Sequence, residues 1–535
     1  MTLPKGAIAK LKTARQSLGF HPALVFVFIF AVIFVLHAPL LRLPYFWDEA
    51  GYYVPAARDL LLTGSLIPRS TPSNAHPPLV MAYLALWWKL AGYTPLVTRT
   101  AMLLIAAFSL LGVFRLARRV ANEEVAIAST LCTALYPVFF AQSSLAHVDL
   151  AAAGLIAWGL SAYVDEHPGA TAFWFSCAAL AKETAILAPL ALFAWECCRA
   201  LLRLRSLPSS GRAKFLLLLP LIPLTAWYAF HYFRTGYIFG NPEFFRYNVQ
   251  ATLHPLRILL ALLIRLWQTF GYLGLSLLTL GAQFAMWRTP LQENGVERPR
   301  ISLEVQYAFL AVIAVYIAAM AVLGGAVLAR YLLPVIPLVI IVCVSTLWRR
   351  ARLWLPVVTV VALAFIWGWF VNPPYGFSPE DNLAYRDYIR LHQRAESFLE
   401  ARYPMARVLT AWPASDELMR PYLGYVTRPV RVIQIENFTA EQMISATDFR
   451  SNFDVALVFS TKYEPRHSLL ERWQTWQRWK TRFFGYYRDV PSAAAAQILG
   501  GQLVYTELRN GQWVGVVEME RVIEARKTKP HRAIK

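Results

Sequence analysis

Apolar runs close to the roughly 20 residues that cross a hydrocarbon layer recur through residues 23–371 of the chain. The first run extends from about Ala23 to Leu41, and short loops rich in Lys and Arg separate many of the later ones. Only 16% of the residues are charged, whereas 57% are hydrophobic. This pattern predicts an all-α polytopic membrane protein with about 11 transmembrane helices.

The net charge of +20 raises the question of nucleic-acid binding, but much of it lies in short loops between apolar runs. Lys and Arg in such loops fix membrane orientation, so we assign the charge to topology and expect no nucleic-acid partner. With a cytoplasmic amino terminus, the basic loops fall inside and Asp48 lies outside. The prediction is a multi-pass protein of the cell inner membrane, surrounded by membrane lipids. The loops are marked by Arg115, Arg118 and Arg119, by Arg288, Arg298 and Arg300, and by Arg349, Arg350 and Arg352.

This alternation holds only if the apolar stretch Leu79 to Leu90 is not a full span. The stretch is short, and Trp87, Trp88 and Lys89 suit a membrane interface. Residues 45 to about 95 are therefore predicted to form a large first outer loop of interfacial helices. No small-x-small cleavage site follows the first apolar run, which we expect to be a retained anchor. The other predicted spans are 96–115, 124–141, 149–164, a short pair at 170–181 and 184–198, 215–232, 258–287 with a break near Gly271 and Gly274, 304–323, 325–347 and 353–371.

From Asn372 onward the composition becomes that of a soluble domain. Strand-like runs at Arg407–Trp412, Val430–Ile435 and Asp454–Ser460 alternate with helix-like ones. We predict a transmembrane domain over residues 1–371 and a small C-terminal α/β outer domain, periplasmic or extracytoplasmic, over residues 372–535. No glycine-rich phosphate loop and no acid pair of the nucleotide-sugar metal type is present, so a nucleotide sugar has no evident binding site.

Three acids are placed on the outer side by this topology, namely Asp48, Glu49 and Asp149. Asp48 and Glu49 are also consistent with a helix N-cap and a first-turn acid, and that local interpretation stays open. Asp149 lies at the outer mouth of a span. Ionisable groups at membrane depth are costly and tend to mark function, so we predict all three as catalytic.

Candidate cations lie on the same side: His76, Lys182, Arg330 and, in the first loop, Arg58. His76 is also consistent with an ordinary interfacial histidine, Lys182 with an ion pair to a nearby acid such as Glu183, and Arg330 with outward snorkelling. Acids and cations on one face suit transfer from a lipid phosphate. A carboxylate takes the proton of an incoming hydroxyl, and cations stabilise the departing phosphate.

Six segments in this order resemble a known family: "YYVPAARDLLLTGSLIPRS", "HPPL", "RLARR", "AHVDLAAAG", "LAKETAI" and "ARYLLPVIPL". They are similar to the lipid-linked-sugar glycosyltransferases of the GT-C fold. The resemblance is to the bacterial branch with the aminoarabinose transferase of lipid A and to the protein O-mannosyltransferases. It covers roughly residues 20 to 370.

This resemblance implies a hexosyl- or pentosyltransferase with a polyprenyl-phosphate (undecaprenyl or dolichyl) sugar donor, a protein, lipid or glycan acceptor, an outer active site and inversion by a single displacement. Asp48 matches the catalytic aspartate of the first loop, and Asp149 matches the acid of the second. Lys182 and Arg330 match basic positions assigned to the donor phosphate. His76 stands where the aminoarabinose branch has lysine, and Ala75 where that branch often has glutamate.

No cofactor is required by this prediction. A divalent metal is compatible with the sequence but is not indicated by it, because Lys, Arg or His can supply the same charge stabilisation. The alternative function is a polytopic transporter or flippase of lipid-linked glycans. The acids lie at the outer edge and no internal repeat is visible, which favours the transferase.

Overall fold

A computed structural model describes residues 21–201, 213–240, 252–465 and 472–520, together with residues 242, 245 and 246. Six helical segments in this part of the chain are long and apolar enough to cross a membrane. The remaining predicted spans form shorter helices, so the expectation of about 11 crossings stays a prediction. The six segments are Pro22–Leu40, Pro95–Val120, Glu183–Leu201, Lys214–Thr235, Pro255–Met286 and Leu303–Val322.

The described part of the chain before residue 371 is a helical bundle, which confirms the predicted polytopic α-helical class. Its α-helices are α1 (Pro22–His37), α2 (Val54–Thr63), α3 (Leu79–Ala91), α4 (Pro95–Val120), α5 (Glu123–Leu135), α6 (Pro137–Gln142), α7 (Val148–Val164), α8 (Pro168–Ala181), α9 (Leu187–Leu201), α10 (Leu221–Thr235), α11 (Pro255–Phe270), α12 (Leu275–Met286), α13 (Leu303–Val322), α14 (Ile336–Arg350) and α15 (Trp354–Phe370).

Close packing of α4 against α7 forms the centre of the bundle. A Cβ atom added at Gly154 would lie 1.9 Å from Ser109 Oγ, and one at Gly112 would lie 2.8 Å from the Trp158 ring. Such contacts between small residues let two membrane helices approach closely. The start of α7, which carries Asp149, is therefore held rigidly against α4.

We keep the name first outer loop for residues 45 to about 95, whose side of the membrane stays a prediction. This segment is helical, as predicted. A π-helical turn at Glu49–Tyr53 continues into α2, and α3 follows after an irregular stretch. Helix α3 has 13 residues and spans about 20 Å, too short to cross a hydrocarbon layer of about 30 Å. The structure thus agrees with an interfacial helix here.

Several of the predicted spans are interrupted, among them 124–141, which breaks at Tyr136 between α5 and α6. The run 258–287 breaks after Phe270, where Leu273 and Gly274 have positive φ angles of 48° and 87°, which confirms the predicted break. The prediction of one span over 325–347 is wrong, because α14 begins only at Ile336. Proline lacks a backbone N–H and fits best in a first helical turn, and Pro337 occupies that position. Arg330 consequently lies in a 3₁₀ turn, Ala329–Leu332, rather than in a long helix.

Two buried arginines donate to carbonyl groups in and next to the irregular segment before α14. Arg257 donates to the carbonyl oxygens of Ala321 and Gly324, and Arg265 donates to that of Leu328. Non-helical backbone at membrane depth is stable only where its polar groups find partners within the protein. These arginines therefore stabilise the segment that presents Arg330.

The bundle has two chemically different ends. Helix α14 begins near Arg330 and ends at Arg350, about 22 Å away. Helix α7 begins near Asp149, and its C-cap Asp165 pairs with Arg119 at 2.7 Å. We call the end with Asp149 and Arg330 the site end and the opposite end the basic end. The orientation of these ends across the membrane stays a prediction.

A two-stranded hairpin at the basic end was not predicted. It consists of β1 (Gln292–Glu293) and β2 (Val296–Glu297). Arg349 Nη2 lies 3.0 Å from Glu297 Oε2, and Arg349 Nε donates to the carbonyl of Arg298. The hairpin thus joins two of the basic loops that the sequence placed on one side.

The C-terminal part is a five-stranded mixed sheet with helices, which confirms the predicted small α/β domain. The strand order is β4-β3-β5-β7-β6, with β3 parallel to β4 and β5, and β7 antiparallel to β5 and β6. The three predicted strands are confirmed to within two residues, whereas β6 and β7 were not predicted. The elements are α16 (Ala384–Arg402), β3 (Arg407–Ala411), α17 (Ala414–Met419), β4 (Arg431–Ile435), α18 (Ala440–Ser445), β5 (Val455–Phe459), α19 (Gln474–Phe484), α20 (Ser492–Leu499), β6 (Gly501–Arg509) and β7 (Gln512–Met519).

This domain packs directly on the first outer loop. The Tyr425 hydroxyl donates to the carbonyl of Tyr45 at 2.9 Å. A Cβ atom at Gly51 would lie 2.7 Å from the Trp412 ring, so the loop between β3 and α17 touches the turn that follows Asp48. The predicted outer limits of the two domains, residues 1 and 535, lie outside the described residues.

Candidate active site

Arg330 is the centre of a buried charge cluster at the site end. Its guanidinium group pairs with Asp48, lies 2.6 Å from Glu380 Oε2 through Nη1, and lies 3.4 Å from Asp149 Oδ2 through Nε. The Arg330 side chain is only 2% exposed. One arginine therefore links three carboxylates that come from the first outer loop, from α7 and from the start of the C-terminal domain.

Lys182 is the second cation of the cluster. Its ammonium group donates to Asp149 and lies 4.1 Å from the centre of the Tyr331 ring. The sequence left open an ion pair with Glu183, but the structure pairs Lys182 with Asp149 instead. Because Lys182 and Arg330 both contact Asp149, the two cations lie side by side, as binding of one phosphate group requires.

Solvent access separates the carboxylates of the site. Asp48 is 22% exposed, whereas Asp149 is 2% and Glu380 is 3% exposed. A general base must reach the proton that it abstracts. Asp48 is therefore the acid of the Arg330 cluster with access to an incoming acceptor.

Glu49 has a different environment from its neighbour Asp48. It is fully buried, and its two oxygens accept hydrogen bonds from the Arg99 guanidinium at 2.5 and 2.9 Å. The backbone N–H groups of Phe46 and Ala146 donate to the same carboxylate. With these acceptor positions occupied, Glu49 joins the first loop to α4 and to the turn before α7. The structure therefore favours a structural role over the predicted catalytic one.

His76 lies beside the cluster and not in it. Its Nδ1 atom is 2.8 Å from Glu183 Oε2, and its ring stacks on Tyr53 with centroids 5.8 Å apart. The preceding residue, Ala75, has a φ of 56°, and Trp47, which precedes Asp48, has a φ of 46°. Non-glycine residues in this left-handed region are strained and often found at functional sites. Both strained positions lead directly into a predicted site residue.

Glu380 is the acid of the site that sequence reasoning missed. It lies in a 3₁₀ turn, Pro379–Asp381, just after the last helix of the bundle. Burial raises the pKa of Glu380 to about 8, with Arg330 opposing the increase and Asp48 adding to it. Near neutral pH its carboxyl is therefore largely protonated.

A polar chain holds Glu380 in place. Gln142 Nε2 donates to the carbonyl of Glu380 at 3.1 Å, and Gln142 Oε1 lies 2.8 Å from His147 Nδ1. Arg330 Nη1 lies 2.9 Å from the same histidine atom. The sequence did not single out His147, and the structure brings it into the cluster.

Arg58 lies apart from these groups. Its guanidinium lies over the ring of Tyr422, 4.3 Å from the centroid, where the first loop meets the C-terminal domain. Its predicted contact with donor phosphate stays a prediction. The contact that the structure records for Arg58 is a cation–π interaction between two parts of the chain.

Metal binding at this site receives no support from the donor set. The position among the carboxylates of Asp48, Asp149 and Glu380 that a divalent cation would take is occupied by the Arg330 guanidinium. Arginine stays protonated and carries its own positive charge. The cluster can thus stabilise a phosphate with side chains alone, and the expectation of no required metal stays a prediction.

The fold and site together define the class: the chain has the GT-C fold of membrane glycosyltransferases, with its charge cluster where the first loop meets the bundle. ArnT from Cupriavidus metallidurans bound to undecaprenyl phosphate superposes with a TM-score of 0.54 at 14% identity, over 92% of this chain and 97% of that one. Its apo structure gives a TM-score of 0.51 at 14% identity, over the same shares of the two chains.

An Archaeoglobus fulgidus oligosaccharyltransferase in complex with Zn and sulfate has a TM-score of 0.46 and 12% identity, and covers 93% of this chain and 73% of its own. No family model and no curated protein matches the sequence. The similarity to the two ArnT structures therefore confirms the fold that the sequence segments suggested. At 14% identity a structural similarity shows the fold alone, and the activity has to be argued from the chemistry of the site.

Proposed function

We propose that this protein is an inverting glycosyltransferase that moves a sugar from a polyprenyl-phosphate donor to a protein, lipid or glycan acceptor at the site end of the bundle. One observation carries the proposal. Arg330 and Lys182 form a buried pair of cations next to Asp48, the most exposed acid of the Arg330 cluster. The undecaprenyl phosphate in the ArnT complex of the same fold supports this donor class.

Asp48 acts as the general base in this mechanism. An acceptor hydroxyl oxygen attacks the anomeric carbon of the sugar while Asp48 takes the hydroxyl proton, and the bond from the anomeric carbon to the phosphate oxygen breaks. The electron pair of that bond leaves with the polyprenyl phosphate, and the anomeric configuration inverts. Positioned proton transfer of this kind contributes about 10²- to 10⁴-fold to a rate.

Lys182 and Arg330 stabilise the phosphate that leaves. The Lys182 ammonium has three N–H donors, of which Asp149 takes one. Arg330 Nε is buried without a hydrogen-bond acceptor and faces Asp149 at 3.4 Å. The two further Lys182 donors can bind phosphate oxygens without loss of the Asp149 contact. Charge stabilisation by fixed cations in a dry site is usually the largest single contribution to such a reaction.

Asp149 positions the two cations, and Glu49 positions the loop. Asp149 contacts both Lys182 and Arg330, so its carboxylate holds their charges at one place. Glu49 fixes the segment that carries Asp48 through its bonds to Arg99. His76 extends the site through Glu183, and Arg58 secures the C-terminal domain over the first loop.

The test is a comparison of glycoconjugates in cells that lack the gene and in cells complemented with variants. Mass spectrometry of surface glycans and glycolipids is expected to show one sugar missing without the gene and restored by the wild-type protein. Asp48→Asn should not restore it. Asp165→Asn is the matched control, because Asp165 also caps a helical segment and pairs with an arginine, but at the basic end.

Two results would contradict the proposal. Full restoration by Asp48→Asn would remove the general-base assignment. Accumulation of a complete lipid-linked glycan on one side of the membrane, with no change in any acceptor, would instead indicate a transporter or flippase.

A further inference from the structure

A second buried cluster of ionisable groups lies in the C-terminal domain. His392 and Glu396 are four residues apart on α16, so they share one face of that helix. Glu417 lies on α17 and faces them. His392 Nδ1 is 2.6 Å from Glu417 Oε2 and 3.6 Å from Glu396 Oε1, and the three side chains are at most 1% exposed.

Four polar atoms of this cluster have no hydrogen-bond partner in the part of the chain that the structure describes. Both carboxylate oxygens of Glu396, Oε1 of Glu417 and Nε2 of His392 are buried without one among the described residues. The ion pairs recorded for Glu396 and Glu417 are both with the one histidine. Buried carboxylates without compensation are strongly destabilising, so a cation or protons must complete this site.

We propose that His392, Glu396 and Glu417 bind a divalent transition-metal ion, for which Zn²⁺ is the best match. Two carboxylates and a neutral imidazole balance a divalent ion, so the buried site becomes electrically neutral. The candidate ligand atoms all lie within 4.8 Å of one another. Tetrahedral Zn²⁺ with bonds of about 2.0 to 2.1 Å places its ligand atoms about 3.3 Å apart, between the two distances from His392.

The donor set selects against the lighter divalent ions. Mg²⁺ and Ca²⁺ take about six or more oxygen ligands and usually keep water molecules. This site is dry, offers an imidazole nitrogen and is closed by aromatic rings: Tyr388 stacks on His392 at 3.9 Å, and Phe459 packs on it at 4.5 Å. A site with one nitrogen ligand and few oxygen ligands suits Zn²⁺ and the neighbouring transition-metal ions.

A shared proton is the competing arrangement. One proton between Glu396 and Glu417, with His392 charged, also gives a neutral cluster. It places a proton on a carboxylate oxygen, whereas a metal ion binds a lone pair on each of the three side chains at once. The metal content of the purified protein distinguishes the two arrangements.

A bound metal ion would stabilise the packing of α16 and α17 next to the active site. Tyr388, which stacks on His392, also packs against Trp47 at 5.6 Å, and Trp47 precedes Asp48. Glu417 lies on α17, which comes shortly after Trp412 in the sequence, and the Trp412 ring packs on Trp47 with centroids 5.2 Å apart. Joining α16 to α17 thus fixes two aromatic contacts to the residue before Asp48. The three ligands are positioning residues in this scheme and touch no substrate.

The experiment measures metal in the full-length protein, purified in detergent without chelators. Elemental mass spectrometry is expected to find about one zinc ion per chain, and less than about a fifth of that in Glu417→Gln and Glu396→Gln. Glu441→Gln, an exposed acid of the same domain, is the matched control and should keep its zinc. Neither readout depends on sugar transfer, so failure here leaves the proposed function untouched.

The wild-type protein alone also decides the proposal if the variants do not fold. A strong chelator should lower the thermal midpoint of the wild type by several degrees, and Zn²⁺ should restore it. Co²⁺ added after chelation should give the visible absorption of a tetrahedral site. The proposal would be overturned if the wild-type protein contained no stoichiometric metal and its thermal midpoint did not change with chelator or Zn²⁺. The shared proton would then be the correct arrangement.

Discussion

Two buried ion-pair regions meet at the first outer loop, and neighbouring residues belong to different ones. In the Glu49–Arg99 region, one carboxylate accepts from a guanidinium and from two backbone N–H groups. In the Arg330 region, one guanidinium is shared by three acids, of which one is partly exposed. In the first region both oxygens of the buried Glu49 carboxylate are hydrogen-bonded. The second region has further N–H donors, and its acid Asp48 is partly exposed to solvent.

This difference indicates what distinguishes a structural ion pair from a reactive one. Buried pairs stabilise only when their remaining lone pairs and protons are satisfied, and Glu49 meets that condition. A reactive cluster must instead keep binding capacity for a ligand, as Lys182 and Arg330 do. Substitutions in the first region should therefore affect stability, and substitutions in the second should affect chemistry.

The largest expected effect is on folding. Glu49→Gln leaves the Arg99 charge buried with a weaker partner and should cost about 3 to 5 kcal/mol, close to the stability of many proteins. The yield of folded protein in detergent and its thermal midpoint measure this loss. The control is Glu507→Gln, which breaks a more exposed pair with Arg394 and should cost about 0 to 1 kcal/mol.

Removing both charges of the Glu49–Arg99 pair is a second test of its structural role. The double variant Glu49→Leu with Arg99→Met removes both charges and should recover part of the lost stability, because a hydrophobic pair often replaces a buried ion pair at little cost. If Glu49→Gln folds normally and instead abolishes sugar transfer, the two regions have been assigned the wrong way round.

The next effect is on donor binding. Lys182→Ala should weaken the apparent affinity for the polyprenyl-phosphate donor about 100-fold and change acceptor affinity much less, because its charge contacts phosphate. Arg330→Lys tests the second cation while keeping the cluster charged. Donor titrations of purified protein measure both, and Lys89→Ala, at an exposed lysine of α3, is the control. Unchanged donor affinity in both variants would remove them from the phosphate site.

A smaller effect is expected where the C-terminal domain touches the first loop. A Cβ atom at Gly51 lies 2.7 Å from the Trp412 ring, so Gly51→Ala must displace that ring and, through Trp47, disturb Asp48. Misplacement of a catalytic group costs rate, here about tenfold. Gly169→Ala is the control, since its Cβ meets nothing within 4 Å. Equal transfer rates in the two variants would show that this contact does not position Asp48.

The smallest effect is a change with pH. Glu380 ionises near 4.5 in the unfolded chain and near 8 in the folded protein, so the folded state holds the extra proton between these values. Stability should therefore fall as pH rises from 4.5 to 8, and the whole penalty is present above 8. Ionised Glu380 also competes with phosphate for Arg330. Donor affinity should fall about threefold between pH 7 and 9 in the wild type.

The neutral variant Glu380→Gln isolates that dependence. It should keep donor affinity constant over the same pH range and be more stable than the wild type at pH 9. A pH profile identical to the wild type would show that another group titrates there.

Much of the fold was accessible from the sequence because apolar length and loop charge act locally. The basic ends at Arg119 and Arg349, the short helix α3 and the break at Gly274 all follow from composition within a few residues. The prediction over 325–347 was wrong, because apolar length alone does not show that Pro337 starts the helix. The strands β6 and β7 were missed although Asn510-Gly511, a hairpin signal, lies between them.

The site was accessible in part. Membrane sidedness brought Asp48, Asp149, Lys182 and Arg330 to one face, and the structure places them in contact. The pairing of Arg330 with Asp48 joins residues 282 positions apart, which no local pattern encodes. The buried pair of Arg99 could have been predicted, since a charge within an apolar helix needs a buried partner. The role of Glu380 could not, because it lies in a polar turn where acidic residues are common.

The most direct test of the central claim is the rate of sugar transfer by purified Asp48→Asn protein from a polyprenyl-phosphate-linked sugar, with the thermal midpoint measured on the same sample. The account predicts a loss of at least about 100-fold with an unchanged midpoint, while Asp165→Asn keeps the wild-type rate. A stable Asp48→Asn protein that transfers sugar at the wild-type rate would contradict it.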